Sequence, residues 1–219
     1  MVGARPIEPT AGEDHAPRQV WYTSYGSNMC LTRLARYIEG GRLSGTDTVY
    51  PGCRDRRLPR RSVPVDLGGA LHFATTSPVW GGGRAFYDPE HRGRVHARAH
   101  LVSASQFADI AAQEMYREPG EDLDLSGVLA SGVVRLGPGR YETLVCAGQL
   151  DGWPVLTFTA PWGVGEVAPV APAPAYLRAL ASGLLETGAW DAGTVATYLA
   201  SSHGAAPRWS EQTVRDLIT

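Results

Sequence analysis

Residues 25–28, Tyr25-Gly26-Ser27-Asn28, gather a glycine, a hydroxyl and an amide where an apolar run, Val20 to Tyr25, gives way to helical spacing. A strand-to-helix bend of this kind presents backbone N–H groups without intrahelical acceptors, and the helix dipole adds partial positive charge. A carboxylate or an oxyanion would sit well there, and Gly26 would let it approach the backbone. A turn with a helix cap accounts for the same four residues. Glu114 is the second group suited to chemistry. It stands in FADIAAQEMYRE, among Ile, Ala and Met. Partial burial there would raise its carboxyl pKa toward the range of a general acid/base. A solvated surface glutamate is the alternative. Glu118, one turn on, has the same geometric claim, and Asp109 lies five residues earlier.

Other groups carry less. Arg54, Arg56, Arg57, Arg60 and Arg61 form a basic run without aromatic residues for stacking. A solvated loop with local ion pairs is favoured over a nucleic-acid grip, although one arginine could face an anionic substrate. His96 and His100 share a strand face near His91, but i and i+4 in a strand stand roughly 13 Å apart, too far to share a metal ion. Cys30 follows the bend at a helix start, where a thiolate is favoured, yet no histidine is placed by sequence as its base. WGGGR at 80–84 lacks the spacing and the lysine of a phosphate loop.

The elements that must position these groups follow from periodicity. Val20–Tyr25 is expected as a strand and Met29–Glu39 as a helix, capped by Ser27 or Asn28 and stopped at Gly40-Gly41. Residues 42–66 look irregular. Gly69–Thr75 is a short strand, and Ser77–Gly83 a glycine-rich turn. Arg94–Val102 alternates as a half-buried strand, and Ser105–Tyr116 is helical. Pro119–Gly139 is a loop or excursion. Tyr141–Leu150 and Val155–Thr159 make a hairpin about Asp151-Gly152. Pro169–Pro174 is a stiff linker, Ala175–Glu186 a helix, and Asp191 and Ser210 each cap one more. Strands and helices interleave without βαβ rhythm, which indicates an α+β fold with a mixed or barrel-like sheet.

Composition narrows the classes. The 219 residues are 43% hydrophobic and 19% charged, with a net charge of −2, so no global field attracts nucleic acid or anionic lipid. No stretch approaches the ~18 apolar residues of a membrane span. Residues 1–19 are polar and Pro-rich and are expected as a flexible tail; residues 20–219 are expected as one domain, with C-terminal helices over 175–219. Three scattered cysteines indicate reduced thiols and a cytoplasmic location. All twenty basic residues are arginine. Schiff-base chemistry, a phosphate-loop lysine and a Ser-Lys dyad are therefore excluded.

Together these segments resemble the γ-glutamylcyclotransferase-like superfamily over roughly residues 20–200. VWYTSYGSNM carries its YGSN hallmark. GGALHFATTSPVW, RVHARAHLVSASQFADIAAQEM, YETLVCAGQLDGWPVLTFTAP and PAPAYLRALASGLLETG are similar to its following segments. Met115 stands where many members have glycine, Phe158 near a common tyrosine, and residues 117–140 form a longer excursion. The resemblance implies a small antiparallel barrel flanked by helices and the release of 5-oxoproline and a free amine from a γ-glutamyl amine or γ-glutamyl amino acid. It implies Glu114 as general acid/base, Tyr25, Gly26, Ser27 and Asn28 as the loop holding the glutamyl group, and Tyr141 beside the pocket. No metal and no cofactor are implied. The expected partner is a small-molecule γ-glutamyl substrate, with neither nucleic acid nor membrane; a homodimer is left open. Two rivals are a catalytically silent binding module and a Cys30-dependent amidohydrolase.

Overall fold

The computed structural model describes residues 3–9, 17–42, 49–206 and 208–218. In chain order the strands are β1 (Gln19–Ser24), β2 (Gly41–Arg42), β3 (Val49–Tyr50), β4 (Ser62–Gly68), β5 (Ala70–Thr76), β6 (Gly83–Asp88), β7 (Arg94–Ser103), β8 (Val133–Arg135), β9 (Thr143–Leu150) and β10 (Trp153–Thr159). The helices are α1 (Leu31–Glu39), α2 (Ala104–Glu114), α3 (Ser126–Ser131), α4 (Pro174–Leu185), α5 (Ala192–Ser201) and α6 (Glu211–Ile218). The fold is the expected α+β class. Its main sheet has six strands in the order β4-β7-β1-β10-β9-β8. All its pairs are antiparallel except β1 with β10.

Strand β1 lies in the middle, and after Gln19 every residue is buried. Alternate side chains serve opposite faces. Trp21 packs with α4, α5 and α6 residues such as Leu177, Val195 and Val214. Val20 and Tyr22 pack with Leu34 of α1 and with Phe107 and Ile110 of α2. The sheet thus has helices on both faces. Strand β7 is correspondingly buried on both sides, Arg98 and His100 included, and not half-buried as its alternation suggested.

The barrel expectation is corrected: strand pairing does not close this sheet. Residues 3–9 span its two sides instead. The Arg5 N–H donates to Pro64 O on edge strand β4, and Glu8 exchanges backbone bonds of 2.9 and 2.7 Å with Gln149 on β9. Arg5 also forms a bidentate pair with Asp151. The described part of the expected 1–19 tail is therefore hydrogen-bonded chain; residues 1, 2 and 10–16 lie outside the described residues.

Further differences have local causes. Strand β4 begins within the 42–66 stretch read as irregular; it tolerates Pro64 because β4 is an edge of the sheet, where a missing N–H breaks no ladder bond. Positions 43–48 of that stretch lie outside the described residues. Strand β6 follows the glycine turn and pairs with β5. The 119–139 excursion contains α3 and β8. Pro169–Pro174 lies along β5 and β6 through Val170 N to Phe73 O and Gly83 N to Ala171 O. The Asp151-Gly152 turn is as expected, with φ of 52° and 78°. No described helix is long and apolar enough to cross a membrane.

Candidate active site

The bend after β1 is a single 3-10 turn, Ser27–Met29, before α1 begins. Neither Ser27 nor Asn28 caps α1; Cys30 holds the N-cap position without a side-chain bond. Gly26 has φ −109°, and a Cβ there would meet only the Tyr176 hydroxyl at 3.5 Å. Its backbone does not require glycine; what glycine supplies is open space in the cleft.

A cleft of about 350 Å³ opens beside this bend, with Glu114 and Tyr141 in its wall. Helix α2 brings Glu114 there. A capping box, Ser103 with Gln106, starts that helix, and at its far end Gln113 Nε2 donates to Tyr37 O of α1 at 2.9 Å. Glu114 keeps part of its surface open while protein surrounds its carboxylate. Asn28 Nδ2 donates to Glu114 Oε1 at 3.2 Å and to the Tyr22 hydroxyl at 3.3 Å. Tyr37 also hydrogen-bonds to Glu114. Burial raises the Glu114 pKa, and the Tyr37 bond, the Arg33 charge and the Asn28 bond oppose it without cancelling it. Asn28 is buried, and its Oδ1 has no partner among the described residues.

The other expected residues divide. Tyr25 lines the cleft, but its hydroxyl donates to Phe158 O at 2.8 Å and ties the bend to β10. Ser27 Oγ accepts from Arg33 Nε at 2.7 Å. Tyr141 stacks on Phe86, meets Phe158 edge-on, and its hydroxyl donates to Ala85 O at 3.4 Å. Phe158 stacks on Tyr22 at 5.5 Å, which fills the place with an apolar ring. Glu118 is exposed at the cleft lip, and Asp109 is fully buried in an ion pair with Arg54. Cys30 is not part of the cleft wall.

Arg33, Tyr37, Arg84 and Tyr176 were not singled out from sequence. The first two stand at i and i+4 on the helix that follows the bend, a signal that spacing alone contains. The last two come from β6 and α4, distant in the chain. Burial pushes the Tyr176 phenol up to about 12, so it stays a neutral hydroxyl at physiological pH.

The remaining sequence candidates serve structure. Of the basic run, Arg57 makes the expected local ion pair, with Asp55, whereas Arg54 pairs with the distant Asp109 and Asp122 and Arg61 with the distant Asp151. His96 bonds Asp66 and packs on Trp190, while His100 bonds Ser62. Among the described residues no three His, Cys, Asp or Glu side chains gather as a metal site.

No protein-family model matches the chain. Histone deacetylase 5 of Arabidopsis thaliana is 31% identical over 203 residues, covering 83% of this chain; the chain spans only 31% of that protein's length. Among solved structures, an uncharacterized protein from Homo sapiens is 17% identical with a TM-score of 0.50, covering 92% of this chain and 99% of that one. A structure named gamma-glutamyl cyclotransferase is 16% identical with a TM-score of 0.49, covering 91% and 98%. YkqA from Bacillus subtilis is 15% identical with a TM-score of 0.44, covering 92% and 55%. These are likenesses of fold.

Proposed function

We propose that the chain is a γ-glutamylcyclotransferase-type enzyme. The observation that carries the reading is the Glu114 carboxylate, partly buried and bonded to Asn28 of the bend, in a cleft large enough for a glutamyl group. In the substrate the α-amine and the γ-carbonyl belong to one molecule, so ring closure is intramolecular and gains several kcal/mol, on the order of an effective-molarity advantage.

Glu114 accepts a proton from the α-ammonium. The amine nitrogen attacks the γ-carbonyl carbon, Glu114 having passed its first proton to the departing nitrogen; as the amide C–N bond breaks, the ring nitrogen gives up a second proton by the same route, and the amine departs as an ammonium. The products are 5-oxoproline and a free amine, with no water consumed. In this reading the Ser27 and Asn28 amides, in the 3-10 turn, hold the substrate carboxylate or the developing oxyanion.

Incubation with γ-glutamyl amides and mass detection of products tests the reading. Cyclisation yields 5-oxoproline, hydrolysis yields glutamate, and a silent binding module yields neither. Glu114→Gln is expected to lower kcat at least about 100-fold, the scale of a lost general acid/base, while Cys30→Ala retains turnover. Loss of activity in Cys30→Ala with retention in Glu114→Gln would reverse the assignment.

A further inference from the structure

Two successive side chains at the end of α2 land on one residue of α1. Gln113 Nε2 donates to the Tyr37 carbonyl at 2.9 Å, and the Tyr37 phenol hydrogen-bonds to the Glu114 carboxylate. The Cys53 thiol also donates to the Tyr37 carbonyl, at 3.4 Å. The Tyr37 ring is buried against Tyr50 of β3, with centroids 4.6 Å apart. Arg33, one turn earlier on α1, fixes that neighbour, its Nη2 donating to the Tyr50 hydroxyl at 3.3 Å. Backbone and ring are both held, so the direction of the phenol O–H is set before a substrate arrives.

That direction matters because Glu114 has to act as a base first. A carboxyl enclosed by protein tends to keep its proton, and a protonated carboxyl accepts nothing from an ammonium. Burial raises the Glu114 pKa, and the Tyr37 bond is foremost among the influences that lower it. Burial and the Glu114 charge hold the Tyr37 phenol well above its ordinary range, so it keeps its proton and stays a donor. The other groups facing the carboxylate do different work. Asn28 adds an amide donor, and Arg33 and Arg140 act on it as charges. The phenols of Tyr22, Tyr25, Tyr141 and Tyr176 are neutral neighbours; those of Tyr25 and Tyr141 donate to Phe158 O and Ala85 O. Arg84, Arg117 and Glu118 line the same cleft, with Arg84 bonded to Thr75 and Arg117 paired with Glu142.

We propose that Tyr37 is a positioning residue: its phenol O–H, locked between α1 and β3, aims the Glu114 carboxylate and keeps it a proton acceptor. The catalytic consequence rests on the cyclisation reading above; the effect on Glu114 rests on the contact between α1 and α2 alone. Tyr37 exchanges no proton in the reaction. Both proton transfers pass through Glu114, and Tyr37 acts only through it.

The test is Tyr37→Phe, which removes the hydroxyl and leaves the ring on Tyr50, set against Tyr198→Phe, which removes a buried phenol hydroxyl outside the cleft. In the full chain and both variants the Glu114 carboxyl is titrated by infrared spectroscopy, its band assigned by its loss in Glu114→Gln. Tyr37→Phe is expected to raise the midpoint by about one to two pH units, the scale of one hydrogen bond to a charged group. Tyr198→Phe leaves it in place. With a γ-glutamyl amide, the acid limb of kcat/KM moves by the same amount in Tyr37→Phe. On the alkaline plateau kcat returns to within about tenfold of the unmodified chain and KM stays within about twofold. An unmoved midpoint in Tyr37→Phe, or an equal shift in Tyr198→Phe, overturns the proposal. So does a loss of kcat that is the same at every pH, the mark of a merely structural defect. A shifted midpoint without 5-oxoproline from any γ-glutamyl compound would strike the cyclisation reading and uphold the Tyr37 contact.

Discussion

Glu114 is buried enough to resist ionisation and is still bonded by groups that favour its charge. Since burial wins, the fold bears a cost whenever the carboxylate is ionised. The raised pKa sets the sign. Below the ordinary carboxylate range the group is neutral in both folded and unfolded chains, and no cost arises. As pH rises through the elevated folded value, stability is lost. Glu114→Gln should therefore melt higher than the unmodified chain at about pH 8, with the gain shrinking toward about pH 4. Thermal unfolding at both values checks this; an equal difference at each would contradict a raised pKa. Under the proposed mechanism, kcat/KM should also fall on the acid side, with a midpoint above that of a free glutamate. The residue types at this scale were legible early, since Glu114 and Asn28 are both in the motif-bearing segments. Their 3.2 Å contact was not, because 86 positions of chain separate them.

At the scale of elements, helix α4 braces the bend from behind. The Tyr176 hydroxyl stands beside Gly26 and accepts from Ala85 N at 3.2 Å. Gly183 is packed so closely that a Cβ would lie 2.6 Å from Met29 Cβ and 2.8 Å from Cys30 N. Alanine in a helix interior usually stabilises by roughly 0.5–1 kcal/mol over glycine. Here the sign should reverse, with Gly183→Ala costing about 1–3 kcal/mol by overpacking. Turnover should fall with it, as the 3-10 turn is displaced. A melting curve shows the reversal directly, and a stabilised Gly183→Ala would mean the helix and the bend are not in contact. Periodicity made α2, α4 and the β9–β10 hairpin legible, because apolar spacing and Asp151-Gly152 are local signals. It missed β4 and β6, whose pairing depends on where a partner strand lies, and only the edge position of β4 lets a strand contain Pro64.

At the scale of the molecule, the sheet curls until residues 3–9 can reach both β4 and β9. Deleting residues 1–9 removes three backbone hydrogen bonds to those strands. At about 0.5–1.5 kcal/mol each, roughly 2–4 kcal/mol of stability should be lost, measurable by denaturant unfolding. An unchanged midpoint would show the segment to be dispensable. The amino-acid sequence by itself determined the α+β class, the two segments that carry the bend and the carboxylate, and the exclusion of lysine chemistry, because composition and short-range periodicity are written residue by residue. Only the tertiary structure decided that Tyr25 spends its hydroxyl on β10, that Asp109 belongs to Arg54, and that Arg33 and Arg84 share one cleft. Those outcomes depend on which distant side chains compete for the same partner, and that competition exists only once the sheet has brought them together.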